Sequence, residues 1–318
     1  MKIKPEILRS KFIGSLLGLA VGDALGMPVE GLTAEEIRLK FGVVKEMISG
    51  RLPAGCYTDD TEMMIGVAES LIENRGFNGE DMVKRFIRNF KFWRGYGYGP
   101  IKVLEMIKKG VPWEKAAEKL FGGKGSYGNG GAMRIAPVGL LYYDNPEILR
   151  SVAYKVARIT HANKLGMEGA AIQAYAVALA VMEEPHKTLE VEDFITKVYM
   201  FSCDDIFRDK VRLVKQLLEK NSVDKFEVIF RLGNGIEAFN SVPTALYSFL
   251  ANYESFEDAV IYAVNLGGDA DTIGAMTGAI AGAYHGVEAI PKRWLDRLEG
   301  RPYIESLAER LWMIKHTD

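Results

Sequence analysis

The residues best equipped for chemistry stand in two short clusters, Thr58-Asp59-Asp60-Thr61 and Gly267-Gly268-Asp269-Ala270-Asp271-Thr272. Each sets two carboxylates and flanking hydroxyls at the start of an apolar, helix-patterned stretch. Uncompensated negative charge is costly there unless water or a cation satisfies it. Hard divalent cations such as Mg²⁺ and Mn²⁺ take carboxylate, hydroxyl and water oxygens in octahedral geometry. If the fold brings the two clusters together, they form an oxygen-rich cage for such ions. Thr58, Asp59 and Asp60 stand where the chain turns into a helix, so their side chains diverge and one can face each of two adjacent ions. Asp269 and Asp271, separated only by Ala270 in a glycine-rich turn, can face the same way before Thr272 opens the next helix.

A competing account treats each cluster as a helix N-cap with favourable macrodipole charge, and for either cluster alone that account suffices. The second cluster fits it less well. It precedes the run Ile273 to Ala283, whose small residues recur at spacings of four, as in a helix packed closely against neighbours in the core. Capping needs one acceptor, whereas two aspartates at the mouth of so buried a helix point to a cation.

The elements that must position these residues are helical. Ile7, Leu8, Phe12, Leu16, Leu19 and Ala20 recur at steps of three and four over 6–22, a helix that leads into Gly22-Asp23-Ala24-Leu25-Gly26 and breaks at Pro28. Met64, Ile65, Ala68, Leu71 and Ile72 repeat the pattern over 61–73. The same reading predicts helices over 80–93, 100–109, 114–120, 146–158, 163–182, 190–201, 204–220, 224–231, 242–252, 255–265, 272–284, 291–298 and 302–315. Convincing alternating strands are nearly absent. The expected fold is all-α, a compact single-domain helical bundle over 1–318. The charged break Glu183 to Thr188 reads as a surface loop rather than a linker, because the acidic clusters fall on opposite sides of it.

Composition narrows the function classes. Among 318 residues, 40 basic side chains balance 42 acidic ones for a net charge of -2, so no overall basic field draws the chain to nucleic acid. Cys56 and Cys203 are the only cysteines and have no ligand spacing, which excludes a disulfide framework and a zinc-thiolate site and suggests a reducing, cytoplasmic location. The charged N-terminus and Asp23 argue against a signal peptide, and no segment reads as approaching the roughly 20 apolar residues that span a bilayer. A membrane is not an expected partner, and oligomeric state is not legible.

Set in order, the motifs are Gly18-Leu19-Ala20-Val21-Gly22-Asp23-Ala24-Leu25-Gly26 with Glu30, then Thr58-Asp59-Asp60-Thr61, Gly128-Asn129-Gly130-Gly131-Ala132-Met133-Arg134, Thr160-His161, and Gly267-Gly268-Asp269-Ala270-Asp271-Thr272-Ile273-Gly274. Any one of them is weak. Together, from about Phe12 to about Pro291, they resemble the ADP-ribosylglycohydrolase family. The resemblance implies an all-α orthogonal helical bundle around a binuclear Mg²⁺ or Mn²⁺ centre. It also implies hydrolysis of the bond joining ADP-ribose to a protein side chain or a small-molecule acceptor.

Carried over by position, Thr58, Asp59 and Asp60 would hold metal from one side and Asp269, Asp271 and Thr272 from the other. Glu30, Asp59, Asp60 and Asp271 would serve catalysis, with Glu30 in proton transfer or in gating the site. Gly97 and Gly99, within Gly95-Tyr96-Gly97-Tyr98-Gly99, together with Asn129, Gly130, Gly131, Ala132, Met133 and His161, would contact substrate. Glycine-rich loops suit a diphosphate because backbone N–H groups approach it when no Cβ intervenes. Taken without the family, Glu30 is an exposed loop glutamate, Gly128 to Gly131 an ordinary turn and His161 a satisfied polar residue. Arg134 reads as a structural donor holding its loop. Tyr96 and Tyr98 could stack on a base or pack on the surface, and His186, His285 and His316 carry no functional reading. Two alternatives stay open: a two-metal phosphohydrolase, which would release inorganic phosphate, and a non-catalytic ADP-ribose-binding relative.

Overall fold

The computed structural model describes residues 3–184, 188–220 and 222–316, and every regular element among them is helical. Two isolated backbone bridges, Thr33 to Gly267 and Gly128 to Glu237, are the extended pairings. The chain forms one compact all-α domain.

Its axis is a pair of antiparallel helices, Pro5–Gly26 and Ala270–His285. The first is buried without interruption from Lys11 to Gly26, and the second from Ala270 to Ala283. Their small residues face each other: Gly14, Gly18 and Gly22 oppose Gly282, Gly278 and Gly274. A Cβ at Gly22 would lie 2.0 Å from the Gly274 carbonyl oxygen, and one at Gly278 2.0 Å from that of Gly18. Backbone thus lies on backbone, which sets the start of one helix against the end of the other. Helices Asp59–Asn74, Lys164–Met182, Ala238–Leu250 and Arg301–His316 pack around this pair. Fully buried Lys11 satisfies the C-terminal carbonyls of Lys164–Met182, donating Nζ to Ala180 O at 3.2 Å and Glu183 O at 2.5 Å.

Several boundaries differ from expectation for identifiable reasons. The helix read over 242–252 runs Ala238–Leu250 and contains Pro243, whose missing N–H forfeits a single intrahelical bond. The helix read over 80–93 ends at Asn89, and that over 291–298 shrinks to Lys292–Leu295. The helix read over 114–120 breaks after Ala116, and Phe121 and Gly122 there take left-handed conformations. Ala136–Leu141, read as an apolar run, is a helix. Helix Ala34–Phe41 was not expected at all, since it buries Ile37 alone and shows little periodicity. Its available signal was the capping box: Thr33 Oγ1 accepts from Glu36 N at 3.2 Å, and Thr33 N donates to Glu36 Oε2 at 2.8 Å. Of the loop Glu183 to Thr188, residues 185–187, including His186, lie outside the described residues.

The membrane-length expectation is also corrected. Helices Pro5–Val29 and Lys164–Met182 are long and apolar enough to cross a bilayer, yet 94% and 78% of their windows are buried inside the fold. Core burial accounts for their hydropathy.

Candidate active site

The two acidic clusters meet. Asp59 and Asp60 from one helix start and Asp269, Asp271 and Thr272 from another line a single cleft, together with Glu30, Gly97, Gly99, Asn129, Gly130, Met133 and His161. Oxygens of Glu30, Asp269 and Asp271 lie within 4.8 Å of one another.

Asp23 locks the first cluster in place. This fully buried carboxylate, near the end of the first helix, accepts from Thr58 N at 2.9 Å, Thr61 N at 3.1 Å and Thr61 Oγ1 at 2.6 Å. It thereby satisfies buried amides at the start of Asp59–Asn74 that have no intrahelical acceptor. Thr58 is wholly buried and off the cleft wall, its hydroxyl accepting from Asp60 N at 3.3 Å. The capping account therefore holds for Thr58 in this geometry, while it leaves both aspartate side chains free to face the cleft.

The second cluster is held by its glycines. Gly267 and Gly268 both have positive φ, 69° and 68°, which reverses the chain before Asp269. The turn is stitched to the Glu30 loop, since Gly268 N donates to Leu32 O and Gly31 N donates to Gly268 O, each at 2.8 Å. A Cβ at Gly267 would lie 2.4 Å from Leu32 O. Glu30 is thereby brought beside Asp269 and Asp271. Thr272 N donates to Asp271 Oδ1 at 2.9 Å.

The substrate-side loops form the opposite wall. Asn129 Nδ2 donates to Asp269 Oδ2 and, at 3.0 Å, to Ser241 Oγ, so this residue braces a candidate metal ligand. His161 lies against Gly130, where an added Cβ would sit 2.4 Å from the ring Cε1, and its Nδ1 is 2.8 Å from Thr160 Oγ1. Burial pulls the imidazole down to about 3, so it is neutral at ordinary pH. Gly131 and Ala132 are buried and lie behind the residues that line the cleft. A Cβ at Gly131 would meet that of Ala157 at 2.8 Å, so glycine serves packing there.

The tyrosines divide. Tyr98 lines the cleft, whereas Tyr96 is buried and donates its hydroxyl to Glu62 Oε2 at 2.8 Å. Phe121 and Ile236 also line the cleft, both exposed, with the Tyr98 and Phe121 rings 6.5 Å apart. Sequence reading passed over these two because neither sits in a periodic element or motif. Arg134 is a structural donor, fully buried, with Nη2 donating to Val156 O at 2.9 Å and its guanidinium 4.9 Å from the Phe86 ring centre.

Electrostatics test whether these residues suit a divalent cation. Burial, then Asp23, pushes the Asp59 carboxyl up to about 8. Burial, then Asp23, Asp271, Asp59 and Asp269, holds Asp60 well above the carboxylate range. Burial, then Glu30 and Asp269, does the same to Asp271. Burial also raises Asp269 to about 6, against the opposing hydrogen bond from Asn129. Asp60 Oδ2 is buried without a hydrogen-bond partner. Four buried carboxylates in mutual repulsion, one oxygen orphaned, form an all-oxygen donor set that fits hard divalent ions. Asp59, Asp60, Asp269, Asp271 and Thr272 stand where they could hold such ions, with Glu30 at the mouth.

Known proteins resemble this chain along nearly its whole length. The sequence model described as ADP-ribosylglycohydrolase matches residues 4–318. The chain is 37% identical to chicken (Gallus gallus) ADP-ribosylhydrolase ARH3, over 95% of this chain and 92% of that protein. It is 31% identical to the ADP-ribosyl-[dinitrogen reductase] glycohydrolase of Rhodospirillum rubrum, over 92% of this chain and 91% of that one. A solved structure titled ADP-ribosylglycohydrolase-related protein complex superimposes with a TM-score of 0.78 at 34% identity, covering 98% of this chain and 99% of that one.

Proposed function

The chain belongs to the ADP-ribosylglycohydrolase family, and on that premise we propose that it is a divalent-cation-dependent hydrolase releasing ADP-ribose from a modified protein side chain or a related ADP-ribosyl compound. The observation that carries this reading is the convergence of Glu30, Asp59, Asp60, Asp269 and Asp271 on one cleft whose other wall is glycine-rich and aromatic. Cleavage at the anomeric carbon passes through an oxocarbenium-like state. The site must therefore orient the sugar, supply a water and return a proton to the leaving group.

Asp59, Asp60, Asp269, Asp271 and Thr272 would hold two Mg²⁺ or Mn²⁺ ions, and the Thr58 hydroxyl, which caps its helix by accepting from Asp60 N, keeps a second lone pair to offer them. Bound there, such ions supply Lewis acidity toward the ribose hydroxyls and lower the pKa of a water. Glu30 is the carboxylate at the mouth and takes the proton-transfer role, with one of its oxygens within 4.8 Å of oxygens of Asp269 and Asp271. The backbones of Gly97, Gly99 and Gly130 leave room for a diphosphate, and neutral His161 can accept from or donate to a ribose hydroxyl through its Nε2. The exposed faces of Tyr98 and Phe121 offer a stacking surface for the nucleobase. Gly131 and Ala132 continue the same loop behind this wall, where any contact with substrate would be through their backbone.

The test is release of ADP-ribose from arginine-linked, serine-linked and O-acetyl substrates, each with Mg²⁺, with Mn²⁺ and with excess chelator. Release that needs the cation and is lost in Asp60→Asn supports the proposal. Full activity in chelator removes its metal half. Release of inorganic phosphate in place of ADP-ribose makes the protein a phosphohydrolase.

A further inference from the structure

Arg51 belongs to neither acidic cluster and to none of the ordered motifs, yet its guanidinium reaches the cleft from the segment between helices Ala34–Phe41 and Asp59–Asn74. Nη1 donates to Glu30 Oε2, and Nη2 lies 3.5 Å from Asp271 Oδ2. Its side chain is 35% exposed, whereas that of Asp271 is 4% exposed, so the pair spans from the cleft mouth to its floor. The same guanidinium runs beside the Gly95 backbone, where an added Cβ would lie 2.4 Å from Nη2. One side chain thus ties together the Glu30 loop, the start of helix Ala270–His285 and the glycine-rich loop at Gly95.

We propose that Arg51 is a positioning residue that holds the Glu30 carboxylate beside Asp271 and, as a tethered cation, competes with divalent metal for the Asp271 end of the cleft. The physical basis is the guanidinium fork. Its separate nitrogens donate to two carboxylates in fixed directions, which a lysine ammonium on a flexible stem does not reproduce. The Glu30 backbone is anchored through Gly31 N to Gly268 O, but its side chain depends on Arg51 for a fixed direction. A general acid or base works only within hydrogen-bond reach of its proton, so loss of that direction acts on turnover. The second role follows from Coulomb's law. Arg51 and a divalent cation would share one buried carboxylate at a few ångströms, and each weakens the other's hold.

The activity half of this proposal rests on the hydrolase reading; the cation half does not. The experiment is Mn²⁺ titration calorimetry on chelator-stripped wild type, Arg51→Met and Arg51→Lys, with melting curves for each, followed by ADP-ribose release kinetics. Arg51→Met should bind Mn²⁺ roughly five-fold more tightly, the size of a partly exposed charge interaction. Its kcat should fall by about 100-fold while KM stays within about three-fold, the signature of a displaced proton-transfer group. Arg51→Lys keeps the charge and loses the fork, so its Mn²⁺ affinity should match wild type while its kcat falls as in Arg51→Met. Equal or weaker Mn²⁺ binding in Arg51→Met, absence of Mn²⁺ binding in any form, or wild-type kcat in either variant overturns the proposal. A purely structural arginine would instead lower melting temperature and raise KM together. If wild type releases no ADP-ribose, the hydrolase reading fails and the Mn²⁺ comparison alone decides the role of Arg51.

Discussion

Gly22→Ala tests how the central helix pair builds the cleft. An added Cβ would lie 2.0 Å from the Gly274 carbonyl oxygen and 2.3 Å from its carbon, both backbone atoms that cannot rotate away. A carbon and a carbonyl oxygen tolerate about 3.3 Å, so the helices must part by roughly 1.3 Å. Overpacking of this kind costs about 3–5 kcal/mol, against a gain of about 1 kcal/mol from replacing glycine with alanine in a helix. The steric term wins, leaving a net loss of about 2–4 kcal/mol. For 318 residues the unfolding entropy is about 0.67 kcal/mol/K, so Tm should drop by roughly 3–6 °C. Asp23 is the next residue along the first helix, and the opposite helix begins with Ala270 and Asp271. Parting them displaces the acidic groups relative to one another, and a misplacement near 1 Å costs on the order of 100-fold in turnover. The control is Gly66→Ala, whose Cβ would meet the edge of the Phe86 ring at 2.9 Å, a side chain that can yield. Differential scanning calorimetry and ADP-ribose release on both variants give the answer. A Gly22→Ala protein with the melting temperature and turnover of Gly66→Ala would refute the claim that backbone contact sets the site.

Cation-free protein should lose stability as pH rises. Asp59 is raised from 3.8 to about 8 and Asp23 and Asp269 to about 6, so the folded state binds protons that the unfolded state has released. Their contribution is full below the unfolded value and is lost as pH climbs through the folded ones; melting curves in chelator from pH 4 to 8 should show the decline, and saturating Mg²⁺ or Mn²⁺ should flatten it. Asp23→Ala removes the acceptor of three donors, Thr58 N at the cap and Thr61 N and Oγ1 in the first turn of the Asp59–Asn74 helix, and should cost about 2–4 kcal/mol in urea unfolding, with Asp23→Asn, which keeps an acceptor oxygen, losing less. Equal losses in the two would show that the charge matters rather than the cap. Gly130→Ala, whose Cβ would reach the His161 ring at 2.4 Å, should raise KM about ten-fold with little change in kcat. A kcat effect of the same size would place His161 in the chemical step.

Much of the cleft was legible because its chemistry is local. Short carboxylates beside a helix start, and glycines where the chain must reverse, are dictated by the residues themselves. The aspartates were legible from their own chemistry, whereas Glu30, Asn129 and His161 were named only through the family resemblance; all line or brace the cleft. Packing roles were not legible. Gly131 has the same residue type as Gly130, yet one faces Ala157 and the other the His161 ring, a difference decided by where the helices fall. Phe121, Ile236 and Arg51 escaped because nothing adjacent in the chain marks them. Helix Ala34–Phe41 escaped because it buries only Ile37.

The sequence by itself determined the helical class, through apolar spacing that only helices satisfy, and the donor atoms available, through paired aspartates and hydroxyls. It also determined that Ile273 to Ala283 would pack closely, because small residues repeat there at one helical face. Tertiary structure decided what that face meets: Gly14, Gly18 and Gly22, so that two helix ends bring their acids to one place. It decided that Asp23 serves as the cap of another helix, and that Arg51 is the cation bridging Glu30 and Asp271. These contacts join residues remote in the chain. Their energies depend on separations of a few ångströms, which residue spacing along a sequence does not encode.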